Sequence, residues 1–271
     1  MQCNDTMTAS RKVNDEFILK PCIVSLIDVL GSSELLLRGI RQDNEMYLRN
    51  LSNMFKFAGK YYPSDQIKTF SDNILIYDED DEDGDSKLSK MVNSVAQMQY
   101  QTVCDLGLLL RGAIASGGLY HSPNDSEFDD FTIGDGLVTA YNLESKKAIH
   151  PRIVMQDKLA RRFLNGDGDD SLLRKQGSVY YLDYLQTTLV DGFPDESLLS
   201  NHRDALIKHI NMNNAVEKNE KWDAVRLKDV WCLSYHNDFC SCYDAEEYII
   251  DYTEAFDSKG DCIEISVRGR Y

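Results

Sequence analysis

Apolar residues follow two rhythms along this chain, and the alternation between them predicts its elements. FILKPCIVSLIDVLG, from Phe17 to Gly31, is a nearly unbroken apolar run rich in Ile, Val and Leu, which predicts a buried strand. Leu36, Ile40, Tyr47, Leu51, Met54 and Phe55 then recur at roughly helical spacing, with Ser32 or Ser33 as cap and Pro63 as stop. QIKTFSDNILIY alternates and then runs apolar, predicting two strands joined by a tight turn at Ser71–Asn73. Leu88, Met91, Val95, Met98 and Val103 mark one face of a second helix. LLLRGAIASGGLYH reads as a strand with small residues towards its end. FTIGDGLVTAYNLESKKA reads as a short strand, a glycine turn and a helix. PRIVMQDKLARRFL gives a strand and a helix, and GSVYYLDYL another strand.

This order predicts an α/β (α+β) domain over residues 17–185, with helices packed on a mixed sheet. Residues 1–16 form a polar leader, expected to be loose. Residues 186–271 change character: DESLLSNHRDALIKHINMNN and KWDAVRLKDVWCLSYHNDFCSCYD look helical, and IEISVRGRY reads as a final strand. This extension is expected to pack on the domain or to lie at a subunit contact.

Charge narrows the chemistry. The 271 residues carry 29 basic and 45 acidic side chains, a formal net charge of -16. The chain lacks the overall basic footprint that nucleic-acid binding needs. An anionic substrate would need a metal to screen the repulsion. The seven cysteines include a CxC at Cys240 and Cys242 but no paired CxxC, which predicts reduced thiols and no zinc site. The five histidines are isolated along the chain. No apolar run approaches the ~18 residues of a membrane span, and a cytoplasmic protein is expected. The acidic run Asp78–Asp85 lacks the register of a calcium loop and is expected to be a solvated loop.

Two other carboxylates stand out. Asp28 ends the first strand, and Asp72 sits in the hairpin turn. A hairpin beside that strand would bring both to one sheet edge, where they repel and a divalent ion relieves them. The Val29 carbonyl could add a ligand. The amides of Val29, Leu30, Gly31, Ser32 and Ser33 open a helix and could hold phosphate oxygens.

IDVLG, KTFSD, LRGAIASGGLY and IGDGLVTAYNLES follow one another in the order and spacing of the class III nucleotidyl cyclase domain, which residues 20–185 resemble. The resemblance implies a mixed, mainly antiparallel sheet flanked by helices, here with a C-terminal helical extension. It implies metal binding by Asp28 and Asp72, two Mn2+ or Mg2+ ions per site, and a homodimer with its sites between subunits. IGDGLVTAYNLESKKAIHPRIVM and YYLDYL further resemble the pyrimidine cyclase branch of bacterial Pycsar anti-phage systems. That branch makes cyclic UMP or cyclic CMP from UTP or CTP, with UTP favoured here, and the product activates a downstream effector. The family carries an Asn and, four residues on, a transition-state Arg; the matching positions here hold Val138 and Asn142. Asn142 could donate a hydrogen bond, and Arg111 or Arg152 could replace the missing charge. Lys68 matches a base-reading position, and the second such position falls at Phe131 or Thr132. The alternatives are a nucleotide sensor without turnover, a purine cyclase, or an acidic interaction protein.

Overall fold

Strand β1 (Lys20–Val29) is central because both of its faces are apolar. It pairs antiparallel with β3 (Asn73–Glu79) on one side and with β4 (Leu110–His121) on the other. The computed structural model describes residues 18–32, 41–80, 85–122, 131–166, 168–214 and 222–256. The leader 1–16, Ser33, Leu36, Ile40 and the strand expected at IEISVRGRY lie outside these residues. With β2 (Ile67–Phe70), β6 (Ile153–Met155), β7 (Leu173–Gln176) and β8 (Val179–Leu182), the sheet runs β2-β3-β1-β4-β6-β8-β7. The short β5 (Thr132–Ile133) pairs with the end of β4. Among the described residues only β4 and β6 run parallel, and every other pairing is antiparallel. The sheet is therefore mixed and mainly antiparallel, flanked by helices, as the sequence predicts. β7 was not foreseen, since LRKQ has no apolar alternation.

The two faces of β1 feed different layers. Ile23, Ile27 and Val29 join a core with Met54 of α1 (Arg41–Ala58) and Met91 and Val95 of α2 (Asp85–Leu106). Cys22, Val24 and Leu26 face α3 (Asp135–Lys147), meeting Ala140. The small residues of β4 let α3 sit close: a Cβ on Gly117 would lie 2.5 Å from the Gly136 nitrogen, far inside contact distance. Asp135 fastens the joint, its Oδ1 accepting from the Gly118 amide at 2.8 Å. After α3 the chain forms β6, and α4 (Asp157–Asn165) follows.

Helices α5 (Glu196–Asn214) and α6 (Trp222–Cys242) and the short α7 (Tyr252–Ala255) follow a hairpin, β9 (Leu189–Val190) and β10 (Phe193–Pro194). Asp191 and Gly192 form its turn with φ of 51° and 84°, the conformation that an Asp-Gly pair favours in tight hairpins. Both long helices bury apolar side chains against the α2 layer, including Leu199, Tyr235 and Phe239. A buried carboxylate, Asp183, ties α6 to the sheet: it accepts from Tyr235 Oη at 2.5 Å, Arg174 Nε at 2.5 Å and Gln186 Nε2 at 3.0 Å.

Two histidines read as isolated prove to be partners. His202 and His236 are fully buried, with their Nδ1 atoms 2.9 Å apart. Tyr184 Oη lies 2.9 Å from His202 Nε2, and His236 Nε2 lies 3.0 Å from the Tyr248 carbonyl. That carbonyl can only accept, so His236 carries its proton on Nε2 and accepts at Nδ1 from His202. A second proton on His236 would set its N–H against that of His202, and one on His202 would require the Tyr184 hydroxyl to turn from donor to acceptor. Burial, then Arg203's charge, pushes His236 down to about 4, with the Tyr248 carbonyl opposing. Burial, then His236, holds His202 well below its usual value. Between the unfolded value near 6.5 and about 4, the unfolded chain binds a proton that the folded His236 refuses. Stability therefore falls as pH falls through that window, by up to about 3 kcal/mol from His236. Urea midpoints at pH 7.5 and 5 are expected to show the loss, and a His202→Gln/His236→Gln pair is expected to flatten the difference.

The acidic run also differs from expectation. Asp78 shares the inward face of β3 with Ile74 and Ile76 and is buried, with Lys87 Nζ at 3.9 Å and Lys90 Nζ at 3.8 Å. Asp80 accepts two bonds from Arg162, at 2.8 and 3.0 Å. Asp85 starts α2. These carboxylates meet cations supplied by helices, so they are structural and not merely solvated; residues 81–84 lie outside the described set.

Candidate active site

Strand register builds the site. Asp28 stands opposite Asn73 on β3 and Arg111 on β4. Asp72 precedes Asn73 in the β2–β3 turn, where Ser71 takes a left-handed φ of 56°. The two carboxylates meet at one sheet edge, as the sequence predicts. Burial raises the Asp28 pKa, Arg111 opposes it, and Asp72's charge adds to the rise. Asp72 is lowered overall: burial works against ionisation, but hydrogen bonds led by the Ser32 hydroxyl outweigh it. Ser32 is buried, and its Oγ donates to Asp72 Oδ2.

Arg111 belongs to this cluster. Its Nε donates to Asp28 Oδ2 at 2.8 Å and lies 2.8 Å from Glu144 Oε1. The N–H points at Asp28, so Glu144 Oε1 has no hydrogen bond although Glu144 is only 5% exposed. Sequence reasoning missed Glu144. The available signal was its place four residues after Ala140 and eight after Gly136, on the buried face of α3.

A second part of the site lies beside the first. A cleft of about 460 Å³ is lined by Lys68, Thr69 and Phe70 of β2, with Leu75, Leu137 and Thr132. Lys68 and Thr132 thus share one cavity wall, while Phe131 is exposed and is not among the lining residues. Thr132 Oγ1 lies 3.2 Å from His121 Nδ1. Val29 ends β1 fully buried, its backbone paired opposite Leu110. Leu30 and the exposed Gly31, with φ of 83°, turn the chain towards Ser32.

Two expected residues stand apart. Asn142 is exposed on α3, and its Nδ2 donates to its own helix at the Val138 carbonyl, 2.9 Å away. Arg152 is buried and engaged elsewhere: Nη1 donates to Gln176 Oε1 at 2.6 Å, and the guanidinium lies 5.1 Å from the Tyr181 ring centre.

The donor set suits small hard cations. Among the described residues no group of three or more His, Cys, Asp or Glu could hold a metal. Two carboxylates at an edge, with remaining positions left to carbonyl, water and phosphate oxygens, are the pattern of magnesium and manganese sites that share their ion with a substrate. Among the described residues no helix is long and apolar enough to cross a membrane.

No protein-family model and no curated protein matches the chain. Solved structures similar to it include adenylyl and guanylyl cyclase domains. The adenylyl cyclase CyaB from P. aeruginosa has 18% sequence identity, spans 60% of this chain and 93% of its own, and gives a TM-score of 0.43. The non-canonical dimeric guanylyl cyclase domain of the RhoGC fusion protein from the aquatic fungus Blastocladiella emersonii has 13% identity, spans 61% and 94%, and gives 0.48.

Proposed function

We infer that this chain is a pyrimidine nucleotide cyclase. It converts UTP or CTP into the 3',5'-cyclic monophosphate and pyrophosphate, as a second-messenger signal in anti-phage defence. The observation that carries the reading is the meeting of Asp28 and Asp72 at the edge of the sheet. The anti-phage setting and the pyrimidine preference rest on the motifs resembling the Pycsar branch.

The residues divide the work. Asp28, Asp72 and the Val29 carbonyl would hold divalent ions, which when bound acidify the ribose 3'-hydroxyl and offset the triphosphate charge. The 3'-oxygen attacks the α-phosphorus in line and pyrophosphate leaves; this requires positioning and charge stabilisation but no protein nucleophile. The cleft beside the carboxylates takes the base, with Lys68 and Thr132 on its wall. A hydroxyl at 132, where adenylyl cyclases have Asp, speaks against ordinary adenine recognition.

Asn142 acts in the site of a second copy. It shares the outer face of α3 with Val138 and Tyr141, which is 61% exposed, and Phe70 and Ile133 are exposed apolar residues near the cleft. On this reading a partner subunit covers these exposed apolar side chains. Mixing Asp72→Ala and Asn142→Ala subunits tests this. If each variant is impaired alone, the mixture is expected to regain activity through heterodimers that hold one intact composite site. No recovery with proven subunit exchange would contradict the shared site.

A further inference from the structure

Arg111 Nε stands between two carboxylate oxygens, each 2.8 Å away, and bonds only one of them. Asp28 receives the N–H. Glu144 Oε1, buried and without a hydrogen bond, is left facing a cation that is turned elsewhere. An unsatisfied buried acceptor is costly, so this arrangement suits a state in which Arg111 must be able to move. The same Asp28 oxygen that Arg111 holds belongs to the carboxylate read above as a cation ligand. A guanidinium and a divalent ion compete for it.

We propose that Glu144 is the alternative seat of Arg111: when a divalent cation takes Asp28, the Arg111 Nε–H turns from Asp28 Oδ2 to Glu144 Oε1. Glu144 is thus a positioning residue, acting on metal occupancy through Arg111. The step makes one hydrogen bond and breaks one, and no proton changes owner. It requires little travel, because Nε is already at bonding distance from Glu144 and only the direction of the N–H changes. The position of Glu144 follows from the close seating of α3 on β4, which Gly117 and Gly136 permit. The proposal rests on the metal-site reading of Asp28.

The experiment is Mn2+ binding to the full chain by titration calorimetry, without nucleotide, so activity is not the readout. Asp28→Ala serves as the site control. Glu144→Gln keeps the size of the side chain and removes its charge, and is expected to weaken Mn2+ binding about tenfold, the scale of residues that orient metal ligands. In an Arg111→Met background the same change is expected to alter affinity less than about twofold, since the competitor is gone. Equal losses in both backgrounds would show that Glu144 acts only as a nearby negative charge, and would overturn the proposal. So would an unchanged affinity in Glu144→Gln while Asp28→Ala still abolishes binding. If wild type and Asp28→Ala bind Mn2+ alike, the metal-site reading itself fails and the proposal falls with it. Should Glu144→Gln fail to fold, Arg111→Met alone decides: tighter Mn2+ binding supports the competition, and unchanged or weaker binding refutes it.

Discussion

Asp72→Ala is expected to reduce nucleotide cyclisation at least about a hundredfold while leaving the chain folded. Residues that merely orient a metal ligand already cost about 10–100-fold in affinity or activity, so loss of the ligand proposed at Asp72 should cost more. The fold should tolerate the change because Asp72 lies in a turn and its side-chain partners are the small hydroxyls and amide of Ser32, Ser71 and Asn73. Its removal also relieves the charge that raises Asp28. Circular dichroism and a urea midpoint near wild type, together with lost turnover, would separate chemistry from stability. Asp28→Ala should lose turnover equally, with Arg111 left to Glu144, 2.8 Å from its Nε.

The largest stability effect is expected at Asp183. Its fully buried carboxylate holds Tyr235, Arg174 and Gln186 together. Asp183→Ala would leave the Tyr235 hydroxyl and the Arg174 guanidinium without their acceptor. Breaking one side of a buried, hydrogen-bonded pair typically costs about 3–5 kcal/mol. Equilibrium urea unfolding should show the midpoint drop with an unchanged slope, and Tyr235→Phe should cost about 1–3 kcal/mol. A loss below about 1 kcal/mol in Asp183→Ala would mean that the helical extension is not fastened to the sheet through this residue.

Much of this architecture is legible in the order of apolar residues, because burial of β1 on both faces demands its continuous run of Ile, Val and Leu. The stripe of Leu88, Met91, Val95, Met98 and Val103 is buried as its spacing predicts. Asp28 and Asp72 could be paired in advance because strand and hairpin geometry fix where each chain end lies. Other features depend on partners that sequence spacing does not reveal. Asp78 was misread because an acidic run suggests water, whereas Lys87 and Lys90 on the next helix supply its counter-charge. Its alternation with Ile74 and Ile76 was the available sign. The approach of Glu144 to Arg111 arises when α3 packs on β4, and the His202–His236 contact when α5 packs against α6. β9 and β10 were missed although Asp191-Gly192 carries a hairpin signal, because the strands are only two residues each.

The most direct test is product identification. The purified chain would be incubated with each of the four nucleoside triphosphates separately, with Mn2+ and with Mg2+. The account predicts a 3',5'-cyclic pyrimidine monophosphate and pyrophosphate, absent with the Asp72→Ala protein. A cyclic purine product would retain the carboxylate site and overturn the reading of the Lys68–Thr132 cleft. No cyclic product from any triphosphate, with the chain folded and Mn2+ bound at Asp28, would contradict the cyclase itself and leave a nucleotide sensor in its place.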